Sequence, residues 1–441
     1  MLQRIKSFLK RNHKNLILSG LLFFGFLVRI YFVDKFIIVS GDLLLYADWG
    51  QKFWEYGSKN FYYVADWYYA PPNYPPIISL IYAYSYWLYD HKYVLAQIHN
   101  IVKFYPSEFI DYFYKNGYYL TLKLPSIIAD LAIGIFIYRI ILSITNSYKR
   151  SLFALSIYLF NPVSILLSSI WGQTDSLIAI IALLSFYLLT KKHFAASVIL
   201  YFLSLYIKPN WLYLLPLYFY LFVKSKPKLR EIIVGGVLTL TLFIISTLPF
   251  SKEGVLNFSI WLWRDRLFPT AFVAHKASVG AFNTYAALFK LDYTPDDISV
   301  LGIPVKIISY FIYSLTLLGL VVYLRRSKFK WESSLSAIFV LGFGVYLFFT
   351  NMLERYFFAA FVPLIMLAIL KPKIFKYMIL INIAVFANLF FSFFRRKYEF
   401  IADVFHANNY LLIRIFSLIN LFSWFMILKH LRISNKLHHD K

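Results

Sequence analysis

Asp42, Asp48, Glu55 and Asp66 fall within one stretch, Ser40 to Asn73 (SGDLLLYADWGQKFWEYGSKNFYYVADWYYAPPN). Acids are scarce elsewhere: the chain has 21 Asp and Glu against 45 Lys and Arg. A positioned carboxylate can take the proton of an attacking hydroxyl. Further along stand Gln173, Asp175, Lys208, Arg266, Lys276, Glu354 and Arg355. Lysine and arginine can hold a departing phosphate, arginine in bidentate fashion. Trp171, Tyr74 and the other aromatic residues can stack on sugar faces, although an aromatic belt at headgroup level is the better account of most of them. The reaction that suits this set is one in which a sugar leaves a lipid phosphate and an acceptor hydroxyl attacks.

Other chemistries lack their residues. No HExxH, GxSxG, GxGxxG or P-loop pattern occurs. There are no cysteines, which excludes disulfides and thiolate metal sites. No cofactor is called for, although Asp42 and Asp48 together could share a divalent ion. The +24 charge does not imply nucleic acid, because cytoplasmic loops of membrane proteins concentrate Lys and Arg.

The elements that must position these residues are membrane helices. The chain is 60% hydrophobic and 15% charged, and long apolar runs recur along it, so it reads as one polytopic all-α domain over 1–441. Arg4, Lys6, Lys10, Arg11 and Lys14 precede the first apolar run and place the N-terminus inside. Tyr46, Trp49, Phe53 and Tyr56 recur at helical spacing, with Asp48, Lys52 and Glu55 on another face. This predicts an amphipathic helix in the interface, on which solvation alone accounts for Asp48 and Glu55. Pro75–Asp90 is short for a span and reads as a second interfacial or half-inserted helix. If it crossed the membrane, five basic loops from Lys149 to Lys376 would lie outside; if it does not, all lie inside with the C-terminal KHLRISNKLHHDK and its His438 and His439.

The spans expected on this reading are 16–33, 119–143, 151–170, 175–190, 194–207, 210–223, 231–249, 303–324, 332–350, 356–370, 374–394 and 410–430, about 12 helices. Both termini are then cytoplasmic, and the long loops 34–118 and 250–302 are external. Asp42, Asp48, Asp66, Gln173, Asp175, Lys208, Arg266, Lys276, Glu354 and Arg355 collect at the outer face or its edge. A transporter or flippase of lipid-linked sugars would share the cations and the aromatic rim, but should show Gly/Pro-broken helices, internal repeats and charges at mid-membrane. A ligase or polymerase of the O-antigen type would place its key Arg and His in a late loop.

Several motifs resemble those of a known family in matching order: Gly41-Asp42 with Asp48-Trp49; Trp67-Tyr68-Tyr69 and Asn73-Tyr74-Pro75-Pro76; Lys123-Leu124-Pro125 and Asp130; Asn161-Pro162 and Trp171-Gly172-Gln173-Thr174-Asp175; Lys208-Pro209; Arg266-Leu267-Phe268-Pro269, Lys276 and Asn283; and Glu354-Arg355-Tyr356. The chain resembles the GT-C-fold glycosyltransferases that use polyprenyl- or dolichyl-phosphate sugars. It is most similar to the endoplasmic-reticulum glucosyltransferases that extend lipid-linked oligosaccharide, and to prokaryotic relatives of the second mannosyltransferase of GPI-anchor synthesis. The resemblance implies an inverting transfer of a hexose from such a donor to a lipid-linked glycan or other surface hydroxyl. It implies Asp42 as base, Lys208, Arg355, Arg266 and Lys276 at the donor phosphate, and Asp48, Trp171, Gln173, Asp175, Glu354 and Tyr74 as orienting groups. It implies a plasma-membrane protein acting externally, or an endoplasmic-reticulum protein in a eukaryote. Leu353 stands where the family usually has His, and Asn73 where the glucosyltransferases have Asp.

Overall fold

The computed structural model describes residues 2–36, 40–272, 274–327 and 330–436, with side chains from 14 to 431 apart from 271 and 272. His438, His439 and the side chains of the N-terminal basic cluster before Lys14 lie outside the described residues.

The protein is an all-α membrane protein. Among the described residues, seven helices are long and apolar enough to cross a bilayer: Lys14–Lys35, Ser107–Thr145, Leu229–Phe250, Val305–Arg326, Trp331–Phe348, Pro372–Phe394 and Glu399–Leu431. An eighth crossing is available if Tyr148–Leu159 and Pro162–Trp171, bent by 43°, act as one broken span. Three apolar helices are shorter: Asp175–Thr190, Phe194–Ile207 and Phe358–Leu370. Of the roughly twelve spans expected, 175–190, 194–207 and 356–370 are these shorter helices, of 16, 14 and 13 residues, and two others are altered locally. Pro162 and Pro209 each open a new helical segment, where the missing N–H of proline costs least. The expected span 151–170 therefore breaks at Asn161-Pro162, and 210–223 shrinks to a 3-10 turn, Pro209–Leu214, and a ten-residue helix, Leu215–Lys224. Pro76–Asp90, with 15 residues, is not among the crossing candidates, as the charge pattern requires.

Burial sorts the helices. The apolar window of Trp331–Phe348 is 94% buried within the protein, whereas those of Lys14–Lys35, Leu229–Phe250 and Val305–Arg326 are only 17% buried. The first is the axis of the bundle and the others face lipid. Its Ser333, Ser334, Ser336, Ala337, Gly342 and Gly344 keep it thin, so that neighbouring backbones approach closely. A fully buried staple ties four other helical segments. Arg29 Nε donates to Asp130 Oδ2 at 2.8 Å, and Asp130 Oδ1 accepts from Tyr158 and Ser176 at 2.7 and 2.5 Å. The remaining guanidinium donors go to the Gly25 and Leu159 carbonyls and Ser164 Oγ. At the broken span, Asn161 Nδ2 donates to Asn382 Oδ1 at 3.1 Å.

The helix Ser107–Thr145 has 39 residues, about 58 Å at 1.5 Å per residue, roughly twice the hydrocarbon thickness. Its projecting part carries the first loop. Tyr118 donates to the Ala47 carbonyl of the helix Gly41–Phe61 at 2.5 Å, and Ser85 of Pro76–Asp90 exchanges bonds with Thr121 at 3.2 and 2.9 Å. Gly50 permits this packing, because a Cβ there would lie 2.5 Å from both the Tyr118 hydroxyl and the Tyr82 carbonyl.

Candidate functional site

Asp42 sits in the first turn of the helix Gly41–Phe61, where exposed backbone N–H groups and the helix dipole favour a negative charge. Ser40 caps that helix by accepting from the Leu43 N–H at 3.1 Å, and its hydroxyl donates to the Trp171 carbonyl at 3.2 Å. The cap therefore joins the first loop to the Trp171 turn. That turn ends a π-helical stretch, Leu166–Trp171, and Gly172 leaves it with φ +82°, a left-handed conformation that a β-carbon would strain. The consequence is that residues two apart both face Asp42. Trp171 Nε1 and Gln173 Nε2 donate to the same oxygen, Oδ2, at 3.1 and 2.6 Å. Oδ1 accepts neither bond.

Burial alone would raise the Asp42 pKa, but Arg355, Lys208 and the two donors outweigh it and hold the carboxyl below its usual range. Glu354 behaves oppositely: burial pushes it up despite Arg355, whose Nη1 donates to Glu354 Oε1 at 2.9 Å. Arg355 also lies over the Trp171 ring, 5.8 Å from its centroid.

These groups open onto a cavity of about 720 Å³ lined by Asp42, Trp171, Glu354 and Arg355, together with Gly280, Asp292, Ser392, Arg395, Arg396 and Lys397. Gly280, at φ +82°, narrows it: a Cβ there would come within 2.6 Å of Glu354 Oε2. Asn388 fixes this approach by donating to the Gly280 carbonyl at 2.6 Å and accepting from the Phe282 N–H and Tyr346 hydroxyl at 3.0 and 2.7 Å.

Behind Asp42 lies a group of buried polar side chains. Lys208 is 1% exposed, makes no hydrogen bond through Nζ, and sits 5.4 Å from the Tyr74 ring centroid. Asp175 Oδ2, Gln173 Oε1 and Arg355 Nε are likewise buried without partners. Tyr46 and Tyr82, stacked at 4.4 Å, pack near the Asp42 carboxylate.

The structure thus brings together Asp42, Trp171, Gln173, Glu354 and Arg355, with Tyr74, Asp175 and Lys208 grouped behind. Asp48, Arg266 and Lys276 stand apart. Asp48 is buried, contrary to the solvated face expected of it, and accepts from the Tyr68 N–H at 3.0 Å. Lys52 is buried as well and pairs with Asp66 at 2.9 Å, because the loop after this helix folds back over its polar face. Arg266 lies over Trp261, and Lys276 donates to the Tyr293 carbonyl at 3.2 Å. Sequence reasoning missed Gly280, Asp292, Ser392 and Arg395–Lys397. The run Arg395-Arg396-Lys397 carried a signal, since it falls in a loop placed outside, where basic residues are under-represented. Among the described residues, no group of three or more His, Asp or Glu is placed to hold a metal ion.

Compared with known families, residues 80–279 match the family described as GPI transamidase subunit PIG-U. The match covers 200 of the 441 residues. It includes Trp171, Gln173, Asp175, Lys208, Arg266 and Lys276, and excludes Asp42, Glu354 and Arg355. No curated protein matches the chain. The chain is a multi-pass membrane protein similar over that stretch to PIG-U.

Proposed function

We propose that the chain is an inverting glycosyltransferase that moves a hexose from a polyprenyl or dolichyl phosphate to a hydroxyl of a lipid-linked glycan or other surface acceptor. What carries the reading is Asp42: an ionised carboxylate on the wall of an open cavity, with Oδ2 held by two donors and Oδ1 free of both. In this reaction Oδ1 takes the proton of the acceptor hydroxyl, whose oxygen bonds to the anomeric carbon. The bond from that carbon to the phosphate oxygen breaks, and the lipid phosphate leaves with the electron pair. Trp171 and Gln173 orient the base, and Arg355 offsets the charge of the departing phosphate. Lys208, closed off behind Tyr74, acts through the field it sets at Asp42. On the topology read from the charges, the cavity faces outside and both termini lie in the cytoplasm.

Supplying the purified protein with a panel of polyprenyl-phosphate sugars tests this reading. Transfer should occur with one of them, and Asp42→Asn should lower turnover about 100-fold or more. Wild-type turnover in Asp42→Asn would remove Asp42 from the chemistry.

A second reading is favoured by two observations: the similarity to a transamidase subunit and the lowered pKa of Asp42, which makes it a weak base. In it the same cavity binds a glycolipid without turning it over, as one subunit of a larger assembly. Retained lipid binding with no transfer from any donor would support this alternative.

A further inference from the structure

The cavity has a cationic mouth that the proposed chemistry does not use. Arg395, Arg396 and Lys397 follow directly on the helix Phe375–Phe394 and line the same space as Asp42. Cations after a helix C-terminus are common on account of the dipole alone. These three differ in opening into a built cavity. Seven charged side chains line it: Asp42, Asp292, Glu354, Arg355, Arg395, Arg396 and Lys397. Glu354 is taken up by Arg355 at 2.9 Å, and Asp292 by Arg395 at 2.6 Å. What remains is a carboxylate, Asp42, on one wall and two exposed cations, Arg396 and Lys397, on another; neither cation is in an ion pair among the described residues. Beside them Ser392 Oγ, also lining the cavity, is buried without a partner. With no partner of its own, that hydroxyl is free to hydrogen-bond a group brought into the cavity.

Position decides which anion fits. A lipid phosphate keeps its tail in the bilayer and presents its phosphate at the membrane–water boundary. Pro372–Phe394 is long and apolar enough to cross, so residues 395–397 lie where a crossing helix emerges, at headgroup height. Lys208 is buried beneath Tyr74 and does not line the cavity. A phosphate reaching it would have to shed its water.

We propose that Arg396 and Lys397, with Ser392, hold the phosphate of a lipid phosphate at the mouth of the cavity, and that Lys208 does not touch it. The inference rests on the reading above for the ligand class alone. Its test measures binding, with no turnover required. Farnesyl phosphate, farnesol and inorganic phosphate are added in turn to the full chain in detergent, and the shift in melting temperature is followed against concentration. Farnesyl phosphate should bind, and the double variant Arg396→Ala/Lys397→Ala should weaken it about tenfold, the scale of two solvent-exposed charge contacts. Both residues are exposed, so the ligand-free melting temperature of that variant should match the wild type. Lys208→Met, if it folds, should bind as the wild type does, and so should Asp42→Asn.

No binding by the wild type, unchanged binding by the double variant, or loss in Lys208→Met with its fold intact would overturn the assignment. Equal binding of farnesol would mean that the tail alone is recognised. Equal binding of inorganic phosphate would mean a free-ion site; either result also overturns it. Loss of transfer from every donor, with binding intact, would sink the reaction and leave the mouth standing. Transfer by the double variant with unchanged KM for the donor would do the reverse.

Discussion

Asp42 is held ionised by its neighbours, and this sets the pH at which it can act. Burial raises its pKa, while Arg355, Lys208, Trp171 and Gln173 together lower it further, so the folded value lies below the ordinary 3.8. A depressed carboxylate contributes stability above its unfolded pKa and loses it as pH falls through the folded one. Transfer should therefore show no acid limb from Asp42 above about pH 4, and Arg355→Gln, which removes the largest lowering influence, should move that limb upward. The pH profile of kcat/KM measures both; an unmoved limb in Arg355→Gln would mean that Arg355 does not govern this carboxylate. Gly280→Ala is expected to be worse for activity than its size suggests. It adds a β-carbon at φ +82° and 2.6 Å from Glu354 Oε2, so the Glu354–Arg355 pair must shift at the cavity wall.

At the scale of elements, two packing features make predictions of opposite character. Gly50 is a close approach between three helices, and Gly50→Ala should cost about 1–3 kcal/mol through overpacking, read as a lower melting temperature in detergent. Asp130 is a charge enclosed among helices. Asp130→Asn leaves Arg29 buried and uncompensated, at about 3–5 kcal/mol, whereas Arg29→Met with Asp130→Leu removes both charges and should recover much of that loss. A double variant no more stable than Asp130→Asn would mean that the staple's worth lies in packing. The same elements show what the sequence could convey. The Trp171–Asp175 motif is recognisable because it lies within a few consecutive residues, but its bonds to Asp42, 129 and 131 residues away, are not. The surroundings of Asp48 and Lys52 were not legible, because the loop that buries them arrives from residues 65–69 and no periodicity reports it. Asn388 was equally hidden: an asparagine in an apolar helix reads as a lone polar residue until its three partners, Gly280, Phe282 and Tyr346, are in place.

For the whole molecule, composition was enough for the class, and apolar runs were enough for most spans. Their lengths were less legible: hydropathy averages across Asn161-Pro162, where the backbone turns, and it does not report that Asp175–Thr190, Phe194–Ile207 and Phe358–Leu370 are shorter than the usual span. The charge pattern carries the orientation, and the chain offers a direct test of it, having no cysteine of its own. A single cysteine placed at Lys103 should react with a membrane-impermeant maleimide in intact cells, and one placed at Lys226 should not. The reverse would invert the topology and turn the cavity to the cytoplasm. The broken span also bears on how the protein is made. The amide of Asn161 meets Asn382, 221 residues further along, so it has no such partner while the ribosome is still building the intervening helices. The amino-terminal half therefore enters the membrane with its kink unanswered and the Asp42 wall without Arg355. A nascent chain stalled before Asn382 is expected to be a ready substrate for membrane quality control, and the site comes into being only as the last helices are released.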